Sequence, residues 1–251
     1  MLRVKELHDQ VQAQTKDLAA WNQTLEERVN EQVGELDRMN RLKGFLSPQI
    51  AKLVVSSGGD KLLESHRRDI TVVFCDLRGF TAFAESAEPE DIIAVLQEYY
   101  QCLGESIDRF EGTLQHFAGD GLLIIFNDPL PCTDPALRAV RMAVEMRGRI
   151  AALVEKWRRF GHELGFGVGI ASGHATLGSV GYEGRFHYSA NGTVVNLGSR
   201  LCNQAGDGQI LIDGRVQLAV EAIARTEPIG DLDLKGFHRP VRAFNVRDLM
   251  A

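Results

Sequence analysis

The segment Asp69-Ile-Thr-Val-Val-Phe-Cys75 is rich in β-branched residues and is apolar at nearly every position. A strand in the middle of a sheet is covered on both faces, so its sequence is an almost continuous apolar run. We therefore predict a central strand here. Helical and strand-like runs alternate after it, which predicts an α/β fold, an α+β sandwich in which helices cover a sheet. The predicted helices span about 89–110 and 134–160, and the further predicted strands span 113–118, 121–126, 164–171, 209–212 and 241–247.

The N-terminal segment contains no proline up to Ser47-Pro48, and its apolar residues recur every seven positions. Such spacing predicts a parallel dimeric coiled coil, with a four-residue shift of the seam near Val29. A single long helix lying on its own domain is the alternative. Pro48 ends this helix, so we assign 1–46 to a coiled-coil helix, 47–66 to a linker and 67–251 to a globular catalytic domain. The heptad series consists of Val4, Val11, Leu18 and Leu25.

Bulk composition excludes several classes of protein. The formal net charge of the 251 residues is −6, so no basic field is present to hold a nucleic acid. The four cysteines form no CxxC pair, which favours buried thiols in a reducing compartment over a disulfide or zinc framework. No apolar run approaches the roughly 18 residues of a membrane helix, and the polar N-terminus has no signal peptide. We expect a soluble, cytoplasmic chain without a membrane segment, whose upstream sensor domain is absent from this chain.

Two acidic residues lie where predicted strands end in glycine turns. Asp76 follows the central strand, and Asp120 sits in Gly119-Asp120-Gly121 between two apolar runs, a pattern typical of a tight hairpin. Each residue alone has a plain structural explanation, a helix cap for Asp76 and a turn for Asp120. Together they form a plausible two-carboxylate cage for Mg²⁺, which takes one or two carboxylates and completes its shell with substrate phosphates. The backbone N–H groups of Gly79, Phe80 and Thr81 open the next helix and can donate to phosphate oxygens.

A third candidate element lies near the middle of the domain. Asn196 and Arg200 are four residues apart, so on a helix they project from one face. An amide beside a permanently charged guanidinium suits a ribose and a phosphoryl group. The alternative is that both side chains simply face solvent.

Five motifs together resemble the class III adenylyl and guanylyl cyclase catalytic domain, whose fold is ferredoxin-like. They occur in family order and cover about residues 67–247, and the segment 1–66 resembles the signalling helix and transducer element that precede such domains. The motifs are Phe74-Cys-Asp-Leu-Arg-Gly-Phe-Thr81, Glu111-Gly-Thr-Leu-Gln-His-Phe-Ala-Gly-Asp120, Gly169-Ile-Ala-Ser-Gly173 with Gly178-Ser-Val-Gly181, Thr193-Val-Val-Asn-Leu-Gly-Ser-Arg-Leu201 and Leu234-Lys-Gly236.

The resemblance implies a role for each matched residue. Asp76 and Asp120, with the backbone carbonyl of Leu77, would hold two divalent cations, Mg²⁺ or Mn²⁺. Asn196 would orient the ribose, and Arg200 would stabilise charge on the α-phosphate. Lys235 would hold the terminal phosphates; an exposed loop lysine is the alternative. In this family the metal motifs and the Asn/Arg helix of one site come from different subunits, which implies a homodimer with shared active sites.

The base-reading positions depart from the family pattern. Adenylyl cyclases of this family typically carry Lys where this chain has His116, and Asp or Thr where it has Thr193, whereas guanylyl cyclases carry Glu and a small residue. A His N–H can donate to N1 of adenine and a Thr hydroxyl can accept from its amino group. No carboxylate stands at position 116 to read guanine, so ATP is the expected substrate. The His tautomer leaves GTP open, and His116 could instead be a core histidine.

The expected activity is therefore conversion of ATP to 3′,5′-cyclic AMP and pyrophosphate, regulated through the coiled coil. A guanylyl cyclase making cyclic GMP is the alternative within the family. A catalytically inactive dimeric signalling module is the alternative outside enzymes, and it disagrees with the presence of all four residues Asp76, Asp120, Asn196 and Arg200. A diguanylate cyclase would need a different turn at the second metal position.

Overall fold

The computed structural model describes residues 64–182 and 185–250, together with residues 14, 16, 21, 23–25, 27–29 and 31–34. The chain divides into two compact units, Met1–Gly44 and Phe45–Ala251. The described residues of the first unit are helical and exposed, with apolar side chains among them. Most of the expected coiled coil, and the linker up to residue 63, lie outside the described residues, so the coiled coil stays a prediction.

The second unit is built on one mixed sheet. Within its described part, eight strands pair in the order β2-β3-β1-β4-β6-β8-β7, and β5 pairs with the far end of β4. Only β4 and β6 run parallel among these pairs. The strands are β1 His66–Arg78, β2 Thr113–Ala118, β3 Gly121–Phe126, β4 Gly165–Tyr182, β5 Arg185–Asn191, β6 Ile210–Asp213, β7 Ala224–Leu232 and β8 Val241–Leu249.

Helices connect these strands in the pattern of a ferredoxin-like domain. The sequence β1-α2-β2-β3-α3-β4 gives a βαββαβ unit whose strands lie in the order β2-β3-β1-β4. The predicted α+β sandwich is thereby confirmed, with β1 as an interior strand between β3 and β4. The helices are α1 Phe80–Ser86, α2 Pro89–Arg109, α3 Pro135–Arg159, α4 Thr193–Gln204 and α5 Gly214–Val220.

One face of the sheet forms the main core with α2 and α3. Val95, Tyr99, Leu103 and Ile107 are buried on α2, each four residues from the next, so they form one apolar stripe toward the sheet. Alternate residues of β1 point into the same core because side chains alternate between the faces of a strand. The β1 residues in this core are Val73, Cys75 and Leu77.

The opposite face of the sheet carries α4 at very short distance. A Cβ on Gly169 of β4 would lie 2.1 Å from the backbone N of Cys202 and 2.3 Å from the carbonyl O of Gly198. The helix therefore packs directly on the strand backbone, which only glycine at position 169 allows. This contact fixes α4, the helix of the fourth motif, beside β1 and β4.

The sequence predicted some element boundaries well and missed others. The predicted strands 113–118 and 121–126 are confirmed, as are the two long helices within a few residues. The strand expected at 164–171 continues to Tyr182 and pairs with β5, a hairpin whose glycine and polar residues gave no apolar signal. No helix among the described residues is long and apolar enough to cross a membrane.

Candidate active site

Asp76 and Asp120 meet at one end of the sheet. Asp76 is near the end of β1, and Asp120 occupies the turn between β2 and β3. The hairpin lies beside β1 because its strand β3 pairs with β1. The backbone N–H of Leu77 donates to Oδ2 of Asp120 at 3.0 Å, and the carboxyl group of Asp76 lies close enough to that of Asp120 for the two to interact electrostatically. The predicted hairpin thus brings the second carboxylate to the first.

The proximity of the two carboxyl groups changes their electrostatics. Burial, followed by the hydrogen bond and charge of Asp120, raises the pKa of Asp76 to about 7, and the positive charge of Arg78 partly offsets this. Two neighbouring carboxylates repel each other when both are ionised, and a nearby cation stabilises the doubly ionised state.

The donor set at this point fits a divalent cation. Two half-buried carboxyl groups lie side by side next to the backbone of Leu77, and hard cations such as Mg²⁺ prefer oxygen ligands of this kind. No group of three or more His, Cys, Asp or Glu side chains forms a metal cluster anywhere in the described part of the chain. The protein residues would therefore complete only part of a cation's shell and leave positions for substrate oxygens.

Tyr100 of α2 holds the hairpin tip from the other side. Its hydroxyl donates to the carbonyl O of Gly119, the residue immediately before Asp120. Burial and the charge of Asp120 raise the pKa of this tyrosine. Sequence reasoning missed Tyr100, because its position within a helical run carries no sign of a contact with a distant hairpin.

The residues of the Asn/Arg motif lie on α4, as the four-residue spacing predicted. Thr193 is the first residue of the helix and is exposed, Asn196 is exposed, and Arg200 is half-buried. In the described ranges, no hydrogen bond or ion pair joins Asn196 or Arg200 to the carboxyl pair. Among the residues that the structure describes, the two halves of the predicted site are therefore not joined by a polar contact within one chain.

The remaining predicted site residues are at the surface or outside the described residues. Gly79, Phe80 and Thr81 lie at the junction of β1 and α1, directly after the carboxylate motif, with Gly79 and Thr81 exposed. Lys235 is exposed in the loop between β7 and β8, beside the buried Leu234. The side chain of His116 lies outside the described residues, so the structure does not test its role in reading the base.

Two further clusters lie near these elements and were not predicted. Arg78 contacts Asp76, and its position inside the first motif was the one available signal. The second cluster surrounds the buried carboxylate of Asp128, which accepts from the hydroxyl of Tyr188 on β5 and lies 2.8 Å from Nε2 of His66. Nothing in the local sequence pairs these three residues, which are far apart along the chain.

Comparison with known families and proteins adds to this geometry. The family model described as the adenylate and guanylate cyclase catalytic domain matches residues 63–247. Adenylate cyclase 1 of Rhizobium meliloti is 30% identical over 195 residues, which cover 76% of this chain and 29% of that protein. An uncharacterised protein of Mycobacterium tuberculosis is 29% identical over 230 residues, 87% of this chain and 40% of that protein. The chain thus spans less than half the length of these curated relatives.

The solved structures of similar fold include proteins named as adenylyl cyclases and proteins named as guanylyl cyclases. The adenylyl cyclase CyaB from P. aeruginosa superposes with a TM-score of 0.72 at 33% identity, over 74% of this chain and 97% of that one. The guanylyl cyclase Cya2 superposes with a TM-score of 0.69 at 32% identity, over 74% of this chain and 95% of that one.

Proposed function

This chain belongs to the family of adenylate and guanylate cyclase catalytic domains, and we propose that it is an adenylyl cyclase that converts ATP to 3′,5′-cyclic AMP and pyrophosphate. The observation that carries the proposal is the meeting of Asp76 and Asp120 at the end of β1. A half-buried carboxyl pair with a strongly perturbed pKa is typical of a functional site.

The two carboxylates and the carbonyl of Leu77 serve as ligands for divalent cations, Mg²⁺ or Mn²⁺. Such ions, when bound, activate the ribose 3′-hydroxyl and neutralise charge on the triphosphate. The hydrogen bonds of Leu77 and Tyr100 to the hairpin tip support this role, since they fix Asp120 relative to Asp76 before any ligand arrives.

Other residues of the chain bind and orient the nucleotide. Asn196 orients the ribose, and Arg200 offers a fixed positive charge to the α-phosphate as pyrophosphate leaves. Lys235 and the backbone N–H groups of Gly79, Phe80 and Thr81 hold phosphate oxygens. The exposed positions of Asn196, Lys235 and Thr81 leave them accessible to a ligand.

A homodimer supplies complete sites. Within the described residues, no hydrogen bond or ion pair joins Asn196 or Arg200 to the carboxyl pair of the same chain. This supports a site built from the carboxyl pair of one protomer and α4 of its partner. Two such sites form in a symmetric dimer.

ATP is the substrate favoured by the base-reading residues. Thr193 has an exposed position at the start of α4, where its hydroxyl can accept from the amino group of adenine, and His116 can donate to N1. Similarity to both CyaB and Cya2 keeps GTP as the second candidate.

We propose that residues 1–46 act as a coiled-coil signalling helix and 47–66 as a transducer, which together set how the two catalytic domains 67–251 meet. The exposed apolar side chains of Trp21, Leu25 and Val29 on the described helical residues support this assignment. If a variant that lacks residues 1–63 matched the full chain in activity and dimer affinity at every concentration, the assignment would be wrong.

The direct test supplies ATP and GTP in parallel, with Mg²⁺ and then Mn²⁺, and measures cyclic products. We expect cyclic AMP from the wild type and none from Asp120→Asn. Cyclic GMP as the main product would transfer the proposal to the guanylyl cyclase. No cyclic product from a folded dimer would instead identify a catalytically inactive signalling module.

A further inference from the structure

Arg78 occupies a place made for its guanidinium group. It lies two residues after Asp76 on β1, so both side chains point to the same face of the strand. In the register of β1 and β4, Asp76 stands opposite Gly167. A Cβ at Gly167 would lie 2.8 Å from Nε of Arg78 and 3.0 Å from its Cζ. The guanidinium therefore lies back across Gly167, in space that any larger residue would take.

In this position Arg78 connects the carboxyl pair with α4. Its Nη2 lies 3.4 Å from Oδ2 of Asp76 and 3.5 Å from Sγ of Cys202 on α4. Its Nε is buried and has no hydrogen-bond partner. Arg78 thus makes one ion pair of moderate length and leaves a buried donor unsatisfied, an arrangement that costs free energy.

Among the described residues, the carboxyl pair has one cationic neighbour. Among the side chains that the structure describes, only that of Arg78 carries a positive charge within ion-pair distance of Asp76 or Asp120. Its side chain is 23% exposed and that of Asp76 is 34% exposed, so solvent screens the pair only in part. The guanidinium is the protein's own source of positive charge for the two carboxylates.

We propose that Arg78 is a resident counter-ion of the carboxyl pair, one that balances the pair in the metal-free protein and lowers the affinity of the site for divalent cations. This inference rests on the proposed metal site at Asp76 and Asp120. A divalent cation at the carboxylates would be repelled by the fixed guanidinium charge, so Arg78 weakens the binding that the carboxylates provide. Arg78 is a positioning residue and need not touch the nucleotide.

The test measures Mn²⁺ binding to the full chain without nucleotide, by the electron paramagnetic resonance signal of free Mn²⁺. Arg78→Gln removes the charge and is expected to tighten Mn²⁺ binding about tenfold, while the metal-free melting temperature falls because the two carboxylates lose their partner. Arg78→Lys keeps the charge and is expected to stay within about threefold of the wild type. Equal or weaker Mn²⁺ binding by Arg78→Gln would overturn the inference.

Gly167→Ala provides a second variant that leaves every charge in place. The new methyl group displaces the flexible guanidinium from its position, so Mn²⁺ binding is expected to tighten by a smaller factor than in Arg78→Gln. Unchanged binding would contradict the inference even if Arg78→Gln did not fold. A wild type that binds no Mn²⁺, or binding that survives Asp76→Asn with Asp120→Asn, would instead refute the proposed metal site.

Discussion

The fold places the carboxyl groups of Asp76 and Asp120 close together at the end of β1. The backbone N–H of Leu77, the residue after Asp76, donates a hydrogen bond to the carboxylate of Asp120. This bond holds the tip of the hairpin to the end of β1. Burial, together with the proximity of Asp120, raises the pKa of Asp76 to about 7. Such a pair costs folding free energy in the absence of a cation, and on the proposed function it is the place where a divalent cation would bind.

Asp120→Asn separates these two effects. The amide oxygen can still accept the N–H of Leu77, while the repulsion between the carboxylates disappears. We expect cyclic nucleotide production to fall at least ~100-fold, the order typical for loss of a group that stabilises the transition state, with an unchanged or higher melting temperature without metal. Asp108→Asn on the exposed side of α2 is the matched control and keeps wild-type activity. Substantial product from Asp120→Asn would exclude Asp120 from the site.

At this scale the sequence predicted the residues that define the motif but not those that support it. Asp76 follows an apolar run and lies three residues before Gly79, and Asp120 lies between Gly119 and Gly121, so local pattern marks both. Arg78 and Tyr100 act through contacts across elements, with Gly167 and Gly119, and such contacts leave no periodic signal in the sequence.

The buried carboxylate of Asp128, which follows β3, interacts with side chains of both β1 and β5. Oδ1 accepts from the hydroxyl of Tyr188, and Oδ2 lies 2.8 Å from Nε2 of His66 and 3.3 Å from Nη1 of Arg68. The hydroxyl of Thr113 donates to the carbonyl of Asp128. Since β5 leads directly into α4, this cluster fixes the start of the helix that carries Asn196 and Arg200.

Tyr188→Phe removes one donor from a carboxylate whose side chain is 0% exposed. Leaving a buried acceptor without its partner costs about 1–3 kcal/mol, and we expect the free energy of unfolding to fall by that amount. Chemical denaturation measures the change. Tyr182→Phe, at the exposed end of the same hairpin, is the control and leaves stability within about 0.5 kcal/mol of the wild type. Equal effects of the two variants would show that the Asp128 cluster contributes nothing.

His66 makes this cluster sensitive to pH. Burial lowers the pKa of His66, but hydrogen bonds to Asp128 and to the carbonyl of Glu64, with the negative charge of Asp128, outweigh it and raise the pKa above 6.5. The protonated form is thus stabilised by folding, and this contribution is full below the unfolded pKa and lost as pH rises through the folded one. We expect stability in chemical denaturation to decline across this window in the wild type and to decline less in His66→Gln. Identical slopes for both proteins would contradict this.

The limits of sequence reasoning at the element scale follow from the same contacts. Strands β2 and β3 and helices α2 and α3 were foreseen because their apolar residues recur at strand or helix spacing. The part of β4 beyond Ala171 and all of β5 were missed because Gly178, Ser179 and Gly181 break the apolar pattern there. These segments are held in place by the pairing of β4 with β5 and by the hydrogen bond of the Tyr188 hydroxyl to Asp128. Both are contacts between residues that are distant in sequence, so the sequence pattern does not show them.

In the proposed homodimer, one active site takes its carboxylates from one protomer and its Asn/Arg helix from the partner. Within the described residues of a single chain, Asp76 and Asp120 lie together, and no hydrogen bond or ion pair joins either of them to Asn196 or Arg200. On the proposed function, each protomer would supply two half-sites, and association of two copies would complete both.

Mixing two inactive variants shows whether the two protomers share an active site. Asp120→Asn lacks the carboxylate half and Arg200→Ala lacks the helix half, and each alone is expected to make almost no cyclic AMP from ATP. After exchange of subunits, half of the dimers are mixed and each carries one intact site, so activity should return to about one quarter of the wild-type value. No recovery, in a mixture shown to contain mixed dimers, would contradict the shared site and the homodimeric cyclase that depends on it.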